Sequence, residues 1–194
     1  MLLAVLLVGC GDRTGATDPT DPGERPSAVP PADGPVQTRA PVTVMDTGRP
    51  ELCLGAVAES YPPQCGGPPL VGWSWADHPG ALEETQGVRW GEFHLVGTFD
   101  GETFTVTAAT PAARYDGTPP PDDSGDTDPT ARRSAAELQR IQRGLGELPG
   151  MLGSEVTRGA VHVYVVHDDG SLQRWADAAY GEGTVRVDSA LVPA

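Results

Sequence analysis

Apolar residues recur along this chain in short, separated patterns, and each pattern predicts an element. The run GEFHLVGTFDGETFTVTAAT, from Gly91 to Thr110, alternates apolar and polar residues around Asp100-Gly101. That pair is favoured in two-residue hairpin turns, where both central positions take positive φ. The turn predicts Phe99 opposite Glu102, Gly97 opposite Phe104 and Leu95 opposite Val106. Phe93, Leu95, Phe104 and Val106 then share one face, with His94, Val96, Thr98, Thr103, Thr105 and Thr107 on the other. Gly97 leaves room for the Phe104 ring. Upstream, PVTVMD alternates as a strand. A loop broken by prolines and glycines leads from it to a short strand near residues 70–73.

The second half changes period. Ser134-Ala135-Ala136-Glu137 is a capping box, in which the hydroxyl and the carboxylate each satisfy a free amide at a helix start. Leu138, Ile141, Leu145 and Leu148 follow at helical spacing, and Pro149-Gly150 ends the run. Residues 161–166 alternate as a strand, with Val161, Val163 and Val165 on one face and His162, Tyr164 and Val166 on the other. Asp168-Asp169-Gly170 turns the chain into a helix capped by Ser171, with Leu172, Trp175, Ala176 and Ala179 as its apolar face. Gly181 and Gly183 stop it, and residues 184–191 return as a strand parallel to the first, through a right-handed crossover. The predicted class is therefore α+β. A small β-rich domain over residues 41–110 forms a twisted sheet or partly open barrel, an oligonucleotide/oligosaccharide-binding type barrel being one candidate. A small α/β two-layer sandwich over residues 131–194 follows, with its helices on one face.

Composition adds what the patterns omit. Residues 10–40 are rich in Pro, Gly, Asp and Thr and have almost nothing to bury, which predicts a disordered tether. Residues 111–130 are similarly rich in Pro and Asp and read as a linker or a long surface loop. The opening MLLAVLLVGCGD is too short to span a bilayer, but it fits the apolar middle of a signal peptide over residues 1–9. The missing basic head is most simply met by a translation start upstream of Met1. An ordinary cleaved signal and a buried strand are the competing readings.

Leu7-Val8-Gly9-Cys10 resembles the lipobox of bacterial lipoproteins. The resemblance implies a diacylglycerol on the Cys10 thiol, cleavage just before it and a further acyl chain on the new amino terminus. Two or more chains suffice for stable anchoring, whereas one does not. With Cys10 committed to lipid, Cys53 and Cys65 remain as a pair for the oxidising side of the membrane. Such a bridge stabilises by about 3 kcal/mol in the chain-entropy model. Two free buried thiols are the alternative.

The formal net charge of -14 argues against nucleic acid and against electrostatic docking on anionic lipid. Candidate chemistry is sparse. His162 and His167 point to opposite faces of one strand and cannot share a metal. His167-Asp168-Asp169 reads as turn chemistry, and His94 reads as a polar surface residue on a threonine-rich face. No serine stands in a nucleophile-elbow setting. Carboxylates are plentiful, but nothing singles out a glycosidase pair. Trp73, Trp75 and Trp90 are the candidate ligand-binding residues, because such rings stack on sugars, prolines or peptide side chains. Filling a small core is the competing role.

Two patches are similar to uncharacterised exported lipoproteins of actinobacteria: LCLGAVAESYPPQCGGPPLVGW with VRWGEFHLVGTFDG, and VHVYVVHDDGSLQRWADAAYGEGTVRV with its SALVP tail. The resemblance implies location and architecture, and it transfers no catalytic residue. The expected protein is lipid-anchored on the extracytoplasmic face of the cell membrane. It is non-catalytic, needs no cofactor or metal, and meets an envelope protein or glycan. A cell-envelope hydrolase using carboxylate acid and base is the alternative.

Overall fold

The computed structural model describes residues 23–117 and 132–194. The expected signal peptide, Cys10 and residues 118–130 of the expected linker lie outside the described residues. Among the described residues, eleven strands and two α-helices follow in the order β1 (Val36–Thr38), β2 (Val42–Asp46), β3 (Pro50–Cys53), β4 (Leu70–Val71), β5 (Glu83–Thr85), β6 (Val88–Phe99), β7 (Phe104–Pro111), α1 (Ala135–Gly144), β8 (Met151–Thr157), β9 (Ala160–Val165), α2 (Ser171–Tyr180), β10 (Val185–Ser189) and β11 (Leu191–Pro193). The class is α+β, as the patterns predict.

Among the described residues, eight strands form one sheet around the long strand β6, which pairs with β2 and β1 along one edge and with β5 and β7 along the other. The sheet is not closed into a barrel, although a single bridge between Glu51 and Pro69 brings β3 alongside β4. Its inner face buries Val44, Leu52, Phe93, Leu95 and Phe104 in one core.

The β6–β7 hairpin differs from its expected register. Phe99 faces Phe104, Thr98 faces Thr105 and Gly97 faces Val106, so the loop has four residues rather than two. The cause is local: the Asp100 carboxylate accepts the backbone N–H groups of Glu102 at 3.0 Å and Thr103 at 2.7 Å, which closes the wider loop. A shift of two residues preserves side-chain faces. Phe93, Leu95, Phe104 and Val106 accordingly share the core side. Gly97 does leave room for Phe104, now a diagonal neighbour. A Cβ there would lie 2.6 Å from the ring and 2.2 Å from the Thr105 carbonyl oxygen.

The smaller sheet has the order β10-β9-β8, with β9 and β10 parallel and β8 antiparallel. Both helices cover its valine face, where Leu138, Leu145, Leu172 and Ala176 meet Val161, Val163, Val165 and Val185. The capping box is present, with Ser134 Oγ accepting the Glu137 N–H and the Glu137 carboxylate accepting the Ser134 N–H. At α2 the expected cap is corrected. Ser171 is already helical, and the Asp168 carboxylate accepts the N–H groups of Leu172 and Gln173 instead. A carboxylate suits this end because it meets both the free amides and the positive end of the helix dipole.

Two findings join the halves. Residues 36–38, inside the expected tether, form β1, which pairs with β6 on one side and β11 on the other. The expected returning strand over 184–191 also breaks at Ala190, so that β10 stays in the small sheet while β11 enters the large one. Side-chain parity explains the break. Val185 and Val187 face the helices, and an unbroken strand would aim Leu191 there too, whereas Leu191 is buried with Phe93 in the large core. Val166 reaches the same core from the end of β9.

Candidate functional site

The three nominated tryptophans separate. Trp73 and Trp75 meet edge to face at 5.1 Å, and both contact Phe93 on the inner side of the large sheet. Trp75 is buried, and its indole N–H donates to Asp46 Oδ2 at 2.9 Å. The buried Asp46 also accepts from Arg89 at 2.8 Å and from the Gly48 N–H at 2.8 Å. Both rings pack into the core, and Trp75 also braces a buried carboxylate, a role with no signature in the sequence.

Trp90 is at odd spacing from Phe93 on β6, so it lies on the opposite, outer side of the sheet. There it packs with Met45 and the Cys53–Cys65 disulfide, whose Cα atoms are 5.7 Å apart. The disulfide closes a small loop that folds back on itself through the Ala58 N–H donating to the Gln64 carbonyl. Tyr61 stands at its tip, 71% exposed, with its ring edge to face against Trp90 at 5.4 Å. The bridge thus holds an exposed aromatic ring over a buried one.

Beside this pair opens a cleft of about 510 Å³ lined by Trp90, Glu92 and Glu83, with Pro63, Pro79 and Arg114 among its walls. Strand register places its carboxylates. Glu83 pairs with Trp90 across β5 and β6, and Glu92 is two residues along β6 on the same face. The two carboxylates are therefore diagonal neighbours, with backbones about 7–8 Å apart. Gly91 lets the segment just before β5 pass close to β6, since a Cβ there would lie 2.3 Å from the Ala81 carbonyl oxygen.

Two residues further along the same face is His94. It is buried rather than a surface residue, because Tyr115 stacks on it at 4.4 Å. Burial holds its imidazole below the ordinary value, partly offset by a hydrogen bond with the Thr38 backbone. Its Nε2 has no hydrogen-bond partner.

A larger cleft of about 760 Å³ lies between the amino-terminal segment and the turn after β9. Its polar groups are engaged in holding the chain together: Asp168 caps α2, Ser189 Oγ accepts the Asp168 N–H, and Arg39 Nε donates to the Ser189 carbonyl. The Asp169 carboxyl, nearby, is held below its ordinary range by the Ser171 hydroxyl and N–H. This cleft is a joint between the two sheets. His162 lies elsewhere, against Asp188 at 3.4 Å. Among the described residues no group of three or more His, Cys, Asp or Glu is placed to hold a metal ion.

Of the nominated residues, Trp90 alone lines the smaller cleft, where Glu83, Glu92 and Arg114 join it without having been singled out, and Tyr61 touches Trp90 beside it. The available signal was the placement of Tyr61 between two cysteines in a proline-rich stretch. The glutamates needed the strand register. Comparison with protein-family models, curated proteins and solved structures finds no match.

Proposed function

We propose that this chain is a lipid-anchored protein of the extracytoplasmic face of the cell membrane, and that it acts by binding an envelope component in the cleft beside Tyr61 and Trp90. One observation carries the reading. Of three cysteines in the sequence, two are joined as Cys53–Cys65, and the third ends the lipobox-like Leu7-Val8-Gly9-Cys10. Stable disulfides belong to oxidising compartments, and lipidation accounts for the odd cysteine. The same bridge builds the rim of the cleft, so one covalent bond links location to binding surface.

The test is partition between detergent and water after expression in a bacterium that processes lipoproteins. The wild type is expected in the detergent phase and Cys10→Ser in the aqueous phase. A wild type that stays in water overturns the anchoring.

A second reading, an envelope hydrolase, is favoured by the diagonal placement of Glu83 and Glu92. Two carboxylates on one face of a cleft wall are the pair of groups that acid and base catalysis at a glycosidic bond requires. It requires that Glu83→Gln or Glu92→Gln lower the turnover of a wall polysaccharide by about 100-fold or more. Turnover that is absent from the wild type, or untouched by both variants, removes it.

A further inference from the structure

We propose that the loop closed by Cys53–Cys65 is a substrate-like inhibitor of a serine peptidase that cleaves after glutamate, with Glu59 as the residue that enters the enzyme's specificity pocket. This activity is separate from binding in the cleft and does not depend on it. The loop is open to a partner, since residues 56–61 are exposed without interruption. Among the described residues, two of the four large apolar side chains that are exposed lie within this run, Val57 at 38% and Tyr61 at 71%. They flank Glu59-Ser60, so the loop offers an acidic side chain between two apolar ones. Exposed tyrosine is the kind of side chain that anchors a protein interface.

The loop is also fixed in shape before any partner arrives. The Ala58 N–H donates to the Gln64 carbonyl at 2.8 Å, which joins its two limbs inside the disulfide. The Ser60 N–H donates to the Ala58 carbonyl at 2.8 Å, closing a three-residue turn with Glu59 at its centre. The Ser60 hydroxyl donates to the Pro62 carbonyl at 2.8 Å. The Tyr61 ring rests edge to face on Trp90 at 5.4 Å. A loop ordered in advance loses less entropy on binding, so its contacts convert into affinity.

Residue order selects the bond presented to the enzyme. A cut after Tyr61 or Pro62 would leave a proline on the departing side, where its ring and missing N–H obstruct attack. Glu59-Ser60 instead sets a long side chain before the bond and a small one after it. Attack by the enzyme's serine hydroxyl on the Glu59 carbonyl forms an acyl ester, breaks the bond to the Ser60 nitrogen and passes the hydroxyl proton to that nitrogen. The amine of an ordinary substrate then diffuses away. Here Ser60 is retained, because Tyr61 rests on Trp90 and Cys65 is bonded to Cys53. The amine stays beside the ester and re-forms the peptide bond, returning the proton to the enzyme's serine. The enzyme is occupied rather than turned over.

The experiment measures inhibition of two serine peptidases, one directed to glutamate and one to arginine, by the full chain purified as its host makes it. The glutamate-directed enzyme should be inhibited with a constant of about 1 μM or below. Mass spectrometry should show the loop intact, or cut at Glu59-Ser60 alone with both parts still joined, after the enzyme has consumed a linear peptide of the same sequence. Glu59→Arg should weaken inhibition of the first enzyme about 30-fold or more and create inhibition of the second. Because Glu59 is exposed, this variant should melt with the wild type, which separates recognition from folding.

Cys53→Ser with Cys65→Ser, assayed below its melting temperature, should inhibit about tenfold more weakly and be cut through at Glu59-Ser60. No inhibition of the glutamate-directed enzyme, inhibition indifferent to residue 59, or rapid cleavage of the wild-type loop to completion overturns the proposal. Equal inhibition by the untied chain overturns the part assigned to the disulfide. None of these results bears on the detergent partition that tests anchoring.

Discussion

The two sheets bury an apolar face by different means. In the small sheet, the valines of β9 and β10 are covered by helices close to them in sequence, and each element announces itself locally. The capping box, the leucine spacing of α1 and the alternation of β9 all lie within about ten residues of what they specify. The large sheet is assembled from distant pieces. β1 pairs with β11 across more than 150 residues, and its core takes Leu191 and Val166 from the other half of the chain. The large sheet is also where loops are long enough to build a cleft, and where a disulfide holds one of them. Local order makes the scaffold legible, and the candidate site arises from non-local order.

The sharpest way to break this comparison is through the large core. Phe93 is fully buried among Trp73, Trp75 and His78, and Phe93→Ala is expected to cost about 3–5 kcal/mol. Chemical denaturation followed by tryptophan fluorescence and by far-ultraviolet circular dichroism should give one coincident transition, since β11 ties both sheets together. Two separated transitions would mean that the halves are independent.

Next is the covalent staple. Cys53→Ser with Cys65→Ser, a separation of 12 residues, should cost about 3 kcal/mol. Since the bridge sets Tyr61 over Trp90, it should also weaken ligand binding at temperatures where the protein remains folded. Unchanged binding would detach the staple from the cleft. A smaller effect is expected at Asp46. Asp46→Ala leaves Arg89, whose side chain is 42% exposed, free to rehydrate, but strands the buried Trp75 N–H, costing about 1–3 kcal/mol by denaturant titration. In the small unit, Ser134→Ala removes the cap of α1 and should cost about 1 kcal/mol.

The mildest effect is on pH dependence. Burial lowers the His94 value in the fold, so the folded state favours the neutral imidazole. That contribution is complete above the unfolded value of about 6.5 and is lost as pH falls below it toward the folded value. Thermal midpoints measured from pH 7.5 to 5.5 should therefore fall less in His94→Gln than in the wild type. Equal slopes would mean that His94 does not contribute.

The elements that were legible are those whose partners are close in sequence. The Asp100-Gly101 turn was recognised, but its register was not, because one carboxylate bonding to Glu102 and Thr103 decided the loop length. Three residues, Val36 to Thr38, carry too little pattern to stand out from a proline-rich stretch, and only β6 and β11 make them a strand. β8 went unforeseen because glycine and polar residues blur its alternation. Glu83 and Glu92 looked like any other acids until register set them on one face. Trp73, Trp75 and Trp90 were visible by type, while the division of the three by the sheet required knowing which side of β6 each one meets.

Intact mass spectrometry of the protein taken from its own host's membranes tests the placement most directly. The expected mass is that of a chain beginning at Cys10, increased by a diacylglyceryl group and an acyl chain, and reduced by the two hydrogens lost in joining Cys53 to Cys65. A freely soluble protein with three unmodified thiols would contradict it.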